Sequence, residues 1–214
     1  MNLLTATAAA VLAWLLLRPA QAASMAPDFW SGANDSPDEP DQLPTTFETI
    51  AMTFTPQPDP MPTDEAARNV RAFLDVIAWA EGTNGPQGYQ TLFGGGTFEG
   101  YADHPRLLIT RPSNGREITS SAAGRYQILR RTWDYVQPRL NLPDFSPASQ
   151  DLAAIELIRE KGALADVQAG NFAAAVEKVR KVWASLPGAG YGQPERSFTR
   201  LAEVFQQQGG TIAA

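Results

Sequence analysis

Residues 64–82 read DEAARNVRAFLDVIAWAEG, and the spacing of their apolar side chains predicts a helix with one buried face. Val70, Phe73, Leu74 and Ile77 recur at i, i+3, i+4 and i+7. Asp64 and Glu65 fall in the first turn, where negative charge suits the positive end of the helix dipole, and Thr63 stands in position to cap it. Gly82 supplies the stop. Glu81 lies four residues beyond Ile77 and so continues the buried stripe at the negative end of the helix. Desolvation and the dipole both disfavour its charge there. Both therefore raise its pKa, the direction that a general acid at neutral pH requires. The same pattern also accommodates a carboxylate that turns outward or pairs with an arginine.

Beyond this helix the signal changes. Glycine is dense from Gly82 to Gly115, and short apolar runs at Thr91–Phe93 and Leu107–Thr110 predict a small antiparallel sheet with wide loops. The Gly94–Gly96 triplet is not a phosphate loop, because no Lys-Ser/Thr follows it. Helical spacing then returns. Leu129, Trp133, Val136 and Leu140 mark one helix, and Ser146-Pro147 opens another through Leu152, Ile155 and Ile158 to a stop at Gly162. Asn171 is expected to cap a helix carrying Phe172, Ala175, Val176, Val179, Val182 and Trp183. A last helix carries Phe198, Leu201 and Phe205. The expected architecture is α+β, mainly helical, with a small glycine-rich antiparallel sheet beside a cleft where sheet meets helices.

Composition narrows the chemistry. The 214 residues include no Cys and one His, which excludes a disulfide framework, a thiol nucleophile, Cys-based metal sites and a His-rich metal site. His104, ahead of Pro105, reads as structural. The net charge of −6 is localised: residues 1–63 hold one base and seven acids, whereas residues 64–214 hold 16 of each. A balanced body gives no reason to expect nucleic-acid binding.

Leu3–Leu17 is an uncharged apolar run, about 22 Å long as a helix at ~1.5 Å per residue, short of the ~30 Å hydrocarbon core. Ala20-Gln21-Ala22 then fits a small-x-small cleavage pattern, although no base precedes the run. Residues 1–24 are expected to be a signal peptide, or a signal anchor that meets the inner membrane through residues 3–17. Either exports the chain. Residues 25–63 contain eight of the 17 prolines among acidic residues and read as an extended linker. Residues 64–214 are then the folded domain.

Six segments carry a resemblance: FLDVIAWAEGT (73–83), YADHPR (101–106), AGRYQIL (123–129), DFSPASQD (144–151), REKGAL (159–164) and WASLPGAGYGQ (183–193). In this order they resemble the lambda-type phage endolysins, a lysozyme-like muralytic family, over nearly all of residues 68–210; residues 1–63 lie outside the likeness. The resemblance implies a lysozyme-like fold and cleavage of the β-1,4 bond between N-acetylmuramic acid and N-acetylglucosamine. It implies that the glutamate of the AEG motif, Glu81, is the acid. For lambda-like members it implies lytic transglycosylation, in which Glu81 protonates the leaving oxygen and then, as carboxylate, deprotonates the muramyl 6-hydroxyl to close a 1,6-anhydro ring.

A hydrolytic muramidase usually uses a second carboxylate ~5–9.5 Å from the first, for which Asp103 is the candidate, with Glu99 behind it. Tyr126 and Gln127 fall in a segment that resembles a glycan-contacting turn, where the Gln127 amide is suited to an N-acetyl group or to a helix-start cap. Tyr191, between glycines, is suited to line the cleft opposite Glu81 or to plug its own loop. Trp79 and Trp183 read as core, and Arg125 as the partner of a carboxylate. The expected partners are peptidoglycan glycan strands, with the protein a monomer in the periplasm or cell wall that uses no metal or organic cofactor. A local wall-opening enzyme of a bacterium or virion fits the same residues. A catalytically inert peptidoglycan-binding module also retains the fold, but the presence of Glu81 argues against it.

Overall fold

The structure is a computed structural model that describes residues 64–113, 115–192 and 194–213. The N-terminal segment, the linker and the Thr63 cap lie outside the described residues. Helix α1 spans Asp64–Glu81. A 3₁₀ turn follows at Gly88–Gln90, then strands β1 (Ile109–Ser113) and β2 (Arg116–Ser120). Five more helices complete the described chain: α2 (Arg130–Leu140), α3 (Pro147–Glu160), α4 (Leu164–Ala169), α5 (Phe172–Val179) and α6 (Phe198–Gln207).

Helix α1 buries the stripe that its spacing predicts: Val70, Phe73, Leu74 and Ile77 are all within the core, and α4 and α6 pack against it. Phe73 anchors this side, with Phe172 at 5.9 Å and Phe205 at 6.4 Å, both edge-on. Helix α3 is buried on every side from Leu152 to Ile158, which makes it the central post of the domain. It starts as the Ser146-Pro147 pair predicts, with the Ser146 side chain accepting from the Ser149 N–H. A second aromatic cluster centres on Phe145, which Trp133 meets at 4.8 Å and His104 at 4.9 Å, and it joins the sheet region to α2. His104 accepts from the Arg106 N–H at Nδ1, so Nε2 carries the proton and donates to the Ile128 carbonyl at 2.8 Å. The residue is a buried pin between two loops.

Three local details differ from the sequence expectation. The sheet is a two-stranded antiparallel hairpin in which Ser113 pairs with Arg116 and Ile109 with Ser120. Leu107 and Leu108 stay exposed ahead of it, and Thr91 and Leu92 form isolated bridges to Thr97 and Ala123 instead. A two-residue connection closes with far less entropy loss than the longer loop between the two apolar runs. Asn171 makes no side-chain cap. Gly170 ends α4 in the left-handed region, and the Asn171 N–H is already donated to the Asp166 carbonyl at 2.8 Å. Helix α5 stops at Val179, short of Trp183. The chain then tightens, with the Val182 N–H on the Val179 carbonyl, and Trp183 turns inward to donate from Nε1 to the Tyr126 carbonyl at 3.0 Å.

Candidate active site

The end of α1 is fixed before any chemistry is considered. Gly82 takes φ of +75°, a conformation that a Cβ would strain. Its N–H donates to the Trp79 carbonyl at 3.1 Å and the Thr83 N–H to the Ala78 carbonyl at 2.8 Å, the paired bonds of a Schellman turn. Glu81 is therefore the last residue of the helix. The Thr83 hydroxyl reaches the carbonyls of Ala78 and Arg125, which ties this corner to the 122–129 loop.

Glu81 lines an open cleft together with Phe93, Ser120, Gln127, Arg131 and Tyr191. Its Oε1 accepts a hydrogen bond from the Ser185 hydroxyl at 2.6 Å. Arg196 stands near the same helix end. It donates from Nε to the Ala80 carbonyl at 3.2 Å, and its guanidinium lies 5.1 Å from the centre of the Trp79 ring. Burial pushes the Glu81 carboxyl up to about 7, against the lowering effects of the Ser185 hydrogen bond and the Arg196 charge. Desolvation wins, so the group holds a proton near neutrality and can also release it.

The opposite wall is the 122–129 loop, and α3 holds it. Gln150 is buried, accepts from the Arg125 N–H at 2.9 Å, and donates from Nε2 to the carbonyls of Tyr89 at 3.0 Å and Phe145 at 2.8 Å. Gly124, at φ of +78°, packs so closely on this amide that a Cβ would fall 2.1 Å from Gln150 Oε1. Asp151, one residue on, accepts at Oδ1 from the hydroxyls of Tyr89 at 2.9 Å and Tyr126 at 2.6 Å. Burial raises the Asp151 carboxyl despite these bonds. Arg125 pairs with Asp75 at 2.6 Å, the carboxylate partner that its sequence context suggested.

The structure brings Glu81, Tyr126, Gln127 and Tyr191 to one cleft. Tyr126 contributes its buried body and anchors Trp183 through its carbonyl. Gln127 adopts φ of +45°, and its Nε2 donates to the Thr91 and Gly124 carbonyls at 3.2 and 3.0 Å, so both amide protons hold the turn. Tyr191 is partly exposed, between Gly190 and Gly192, and its hydroxyl donates to the Lys181 carbonyl at 2.9 Å. The loop ahead of it is clamped by Glu195, which accepts the N–H groups of Gly188 and Gly190 at 2.7 and 2.8 Å.

Asp103 is elsewhere. It is absent from the cleft lining, pairs with Arg106 at 2.9 Å and accepts from Trp133 Nε1 at 2.9 Å. Burial works against its charge, but these hydrogen bonds outweigh it and hold the carboxyl below its ordinary value. Glu99 is exposed and also outside the lining. Ser185, Arg196, Gln150 and Asp151 escape the sequence reading. Ser185 and Gln150 lie inside quoted segments, but their spacing does not say which backbone or side-chain atoms they meet.

A helix-end acid in an open cleft between a small sheet and a helical body defines a lysozyme-like enzyme. The family model described as Endolysin matches residues 71–212. The chain is 46% identical over 148 residues to the endolysin of Escherichia phage lambda, covering 66% of this chain and 92% of that protein. It is 45% identical over 166 residues to the endolysin of Escherichia phage P2, covering 72% of this chain and 100% of that protein. Among solved structures it is similar to bacteriophage lambda lysozyme complexed with a chitohexasaccharide, with a TM-score of 0.64 and 45% identity over 68% of this chain and 97% of the other. A second structure, of lysozyme from bacteriophage lambda, gives a TM-score of 0.61 at 43% identity, with the same coverage of both chains.

The chain belongs to the endolysin family. It is a peptidoglycan-cleaving enzyme of the lysozyme type.

Proposed function

We propose that the protein cleaves the β-1,4 bond between N-acetylmuramic acid and N-acetylglucosamine by lytic transglycosylation, with Glu81 as acid and then base. One observation carries this reading: among the described residues that line the cleft, Glu81 is the only carboxylic acid. Hydrolysis with a paired carboxylate needs a second acid close enough to activate water. Transglycosylation does not, because its nucleophile is the muramyl 6-hydroxyl, which arrives with the substrate and is already near C1.

The proton balance closes on one side chain. Glu81 gives its proton to the glycosidic oxygen as the C1–O4 bond breaks and the electron pair leaves with the N-acetylglucosamine. The resulting carboxylate takes the proton of the 6-hydroxyl as O6 bonds to C1, and Glu81 is protonated again. A pKa near neutrality suits both halves. The chitohexasaccharide bound to the lambda lysozyme supports a glycan strand as the ligand of this cleft. The chemistry draws on a carboxyl proton and a substrate hydroxyl, and needs no cofactor.

In the same reading, residues 1–24 export the chain as a signal peptide or anchor, residues 25–63 space the enzyme from that segment, and a monomeric domain of residues 64–214 acts on the wall from the periplasm. Among the described residues, no helix is long and apolar enough to cross a membrane.

Asp103→Asn tests the single-acid reading. The variant is expected to clear purified sacculi within about twofold of the wild-type rate, because Asp103 lies outside the cleft lining and Asn keeps an Oδ1 to accept from Trp133 while losing only an exposed ion pair. A loss of about 100-fold or more, the scale of a removed acid or base, would overturn it.

A further inference from the structure

The two oxygens of the Glu81 carboxyl are not equivalent. Oε1 accepts from the Ser185 hydroxyl at 2.6 Å, and the Ser185 backbone N–H also favours the charged carboxyl. Ser185 is itself held firmly: its carbonyl accepts from the Arg196 N–H at 2.8 Å, and the same Arg196 donates to the Ala80 carbonyl beside Glu81. Helix end and Ser185 loop are thus stapled together, which holds the Ser185 backbone within reach of the carboxyl. Ser185 is absent from the cleft lining and so acts behind the acid, away from the substrate.

We propose that Ser185 is a positioning residue whose hydroxyl, by holding Oε1 of Glu81, fixes the orientation of the carboxyl that delivers the proton to the leaving group and recovers it from the 6-hydroxyl. This rests on Glu81 being the acid. It adds that the carboxyl serves both half-reactions without rotating, and that the donated hydrogen bond steadies the carboxylate between them.

The test uses the full-length chain with purified sacculi. Turnover is measured against pH for the wild type, Ser185→Ala, Ser185→Thr and Glu81→Gln, with thermal unfolding of each and the mass of the released ends read from the same samples. Removing a donor to the charged carboxyl raises the pKa of Glu81, so Ser185→Ala is expected to move the alkaline limb up by about half a pH unit or more. Its kcat is expected to fall about tenfold with KM within about twofold, because orientation and not substrate contact is lost. Ser185→Thr, which keeps the hydroxyl, is expected to restore both limb and rate.

An alkaline limb that stays in place in a folded Ser185→Ala would overturn the assignment, as would a Ser185→Thr variant as impaired as the alanine. A Ser185→Ala chain too unstable to assay leaves Ser185→Thr against the wild type as the decisive pair, and a shifted limb there would overturn it equally. Activity retained by Glu81→Gln would remove the acid itself. A moved limb with reducing product ends would keep Ser185 in its role and discard transglycosylation.

Discussion

Glu81→Gln is expected to lower the rate of sacculus clearance by about 10³-fold or more while the fold survives, because the variant keeps the shape of the side chain and loses the only carboxyl proton among the described residues that line the cleft. The Gln carbonyl can still accept from Ser185, so the loss falls on chemistry and not on architecture. A second effect has the opposite sign. Between the ordinary value of 4.5 and about 7, the folded protein holds a proton on Glu81 that the unfolded chain releases. The folded state therefore binds more protons in that window, and its stability falls as pH rises through it. Above about pH 7 the wild type carries the full cost of a buried carboxylate, up to about 3 kcal/mol and less to the extent that solvent reaches the group. Gln does not ionise. The inactive variant is expected to be the more stable protein at pH 8 and to match the wild type at pH 4, a comparison that denaturant titration at the two pH values makes directly. A variant less stable than the wild type at pH 8 would show that burial does not perturb Glu81 as described.

Gln150→Ala is expected to destabilise the domain by roughly 3–5 kcal/mol, since it strands three backbone groups, the buried Phe145 carbonyl and the part-buried Tyr89 carbonyl and Arg125 N–H, and also leaves a cavity. The consequence reaches the cleft. Arg125 belongs to the loop that carries Tyr126 and Gln127, and Gln127 holds its left-handed backbone only while the turn from Gly124 stays closed. Gln150→Glu keeps one acceptor but removes both donated hydrogen bonds and places a carboxylate against two carbonyls, so it is expected to be no milder. At 2–4 °C per kcal/mol for a domain of this size, the alanine variant is expected to melt about 10 °C lower. A change under about 1 kcal/mol would mean that water replaces the amide without loss.

Much of this was legible in the chain because it depends on local periodicity. The stripe from Val70 to Ile77 and its continuation at Glu81 follow from a 3.6-residue repeat, and Ser146-Pro147 opens α3 through a contact within one turn. What was less legible depends on contacts across the chain. Trp183 fits the apolar spacing of α5 but leaves the helix for the Tyr126 carbonyl, 57 residues away. The pairing of Ser185 with Glu81 spans 104 residues, and no pattern in either segment encodes it. Asn171 has the right residue type for a cap, yet Gly170 before it sets a backbone in which the side chain is not needed. The hairpin is a different case. Asn114-Gly115 is a strong two-residue turn signal lying between two β-prone segments, and weighing it above the more distant Thr91–Phe93 run would have given the observed pairing.

In the proposed reaction one carboxylic acid, working with the substrate's own hydroxyl, breaks the glycan strand. Mass spectrometry of the muropeptides that the full-length protein releases from purified sacculi tests it most directly, with Glu81→Gln alongside. The expected products are muramyl ends lighter by one water than the corresponding reducing sugars, with no release by the variant. Reducing muramyl ends from the wild type would overturn it, because they require a water nucleophile activated by a carboxylate besides Glu81, and Glu81 is the only one among the described residues that line the cleft.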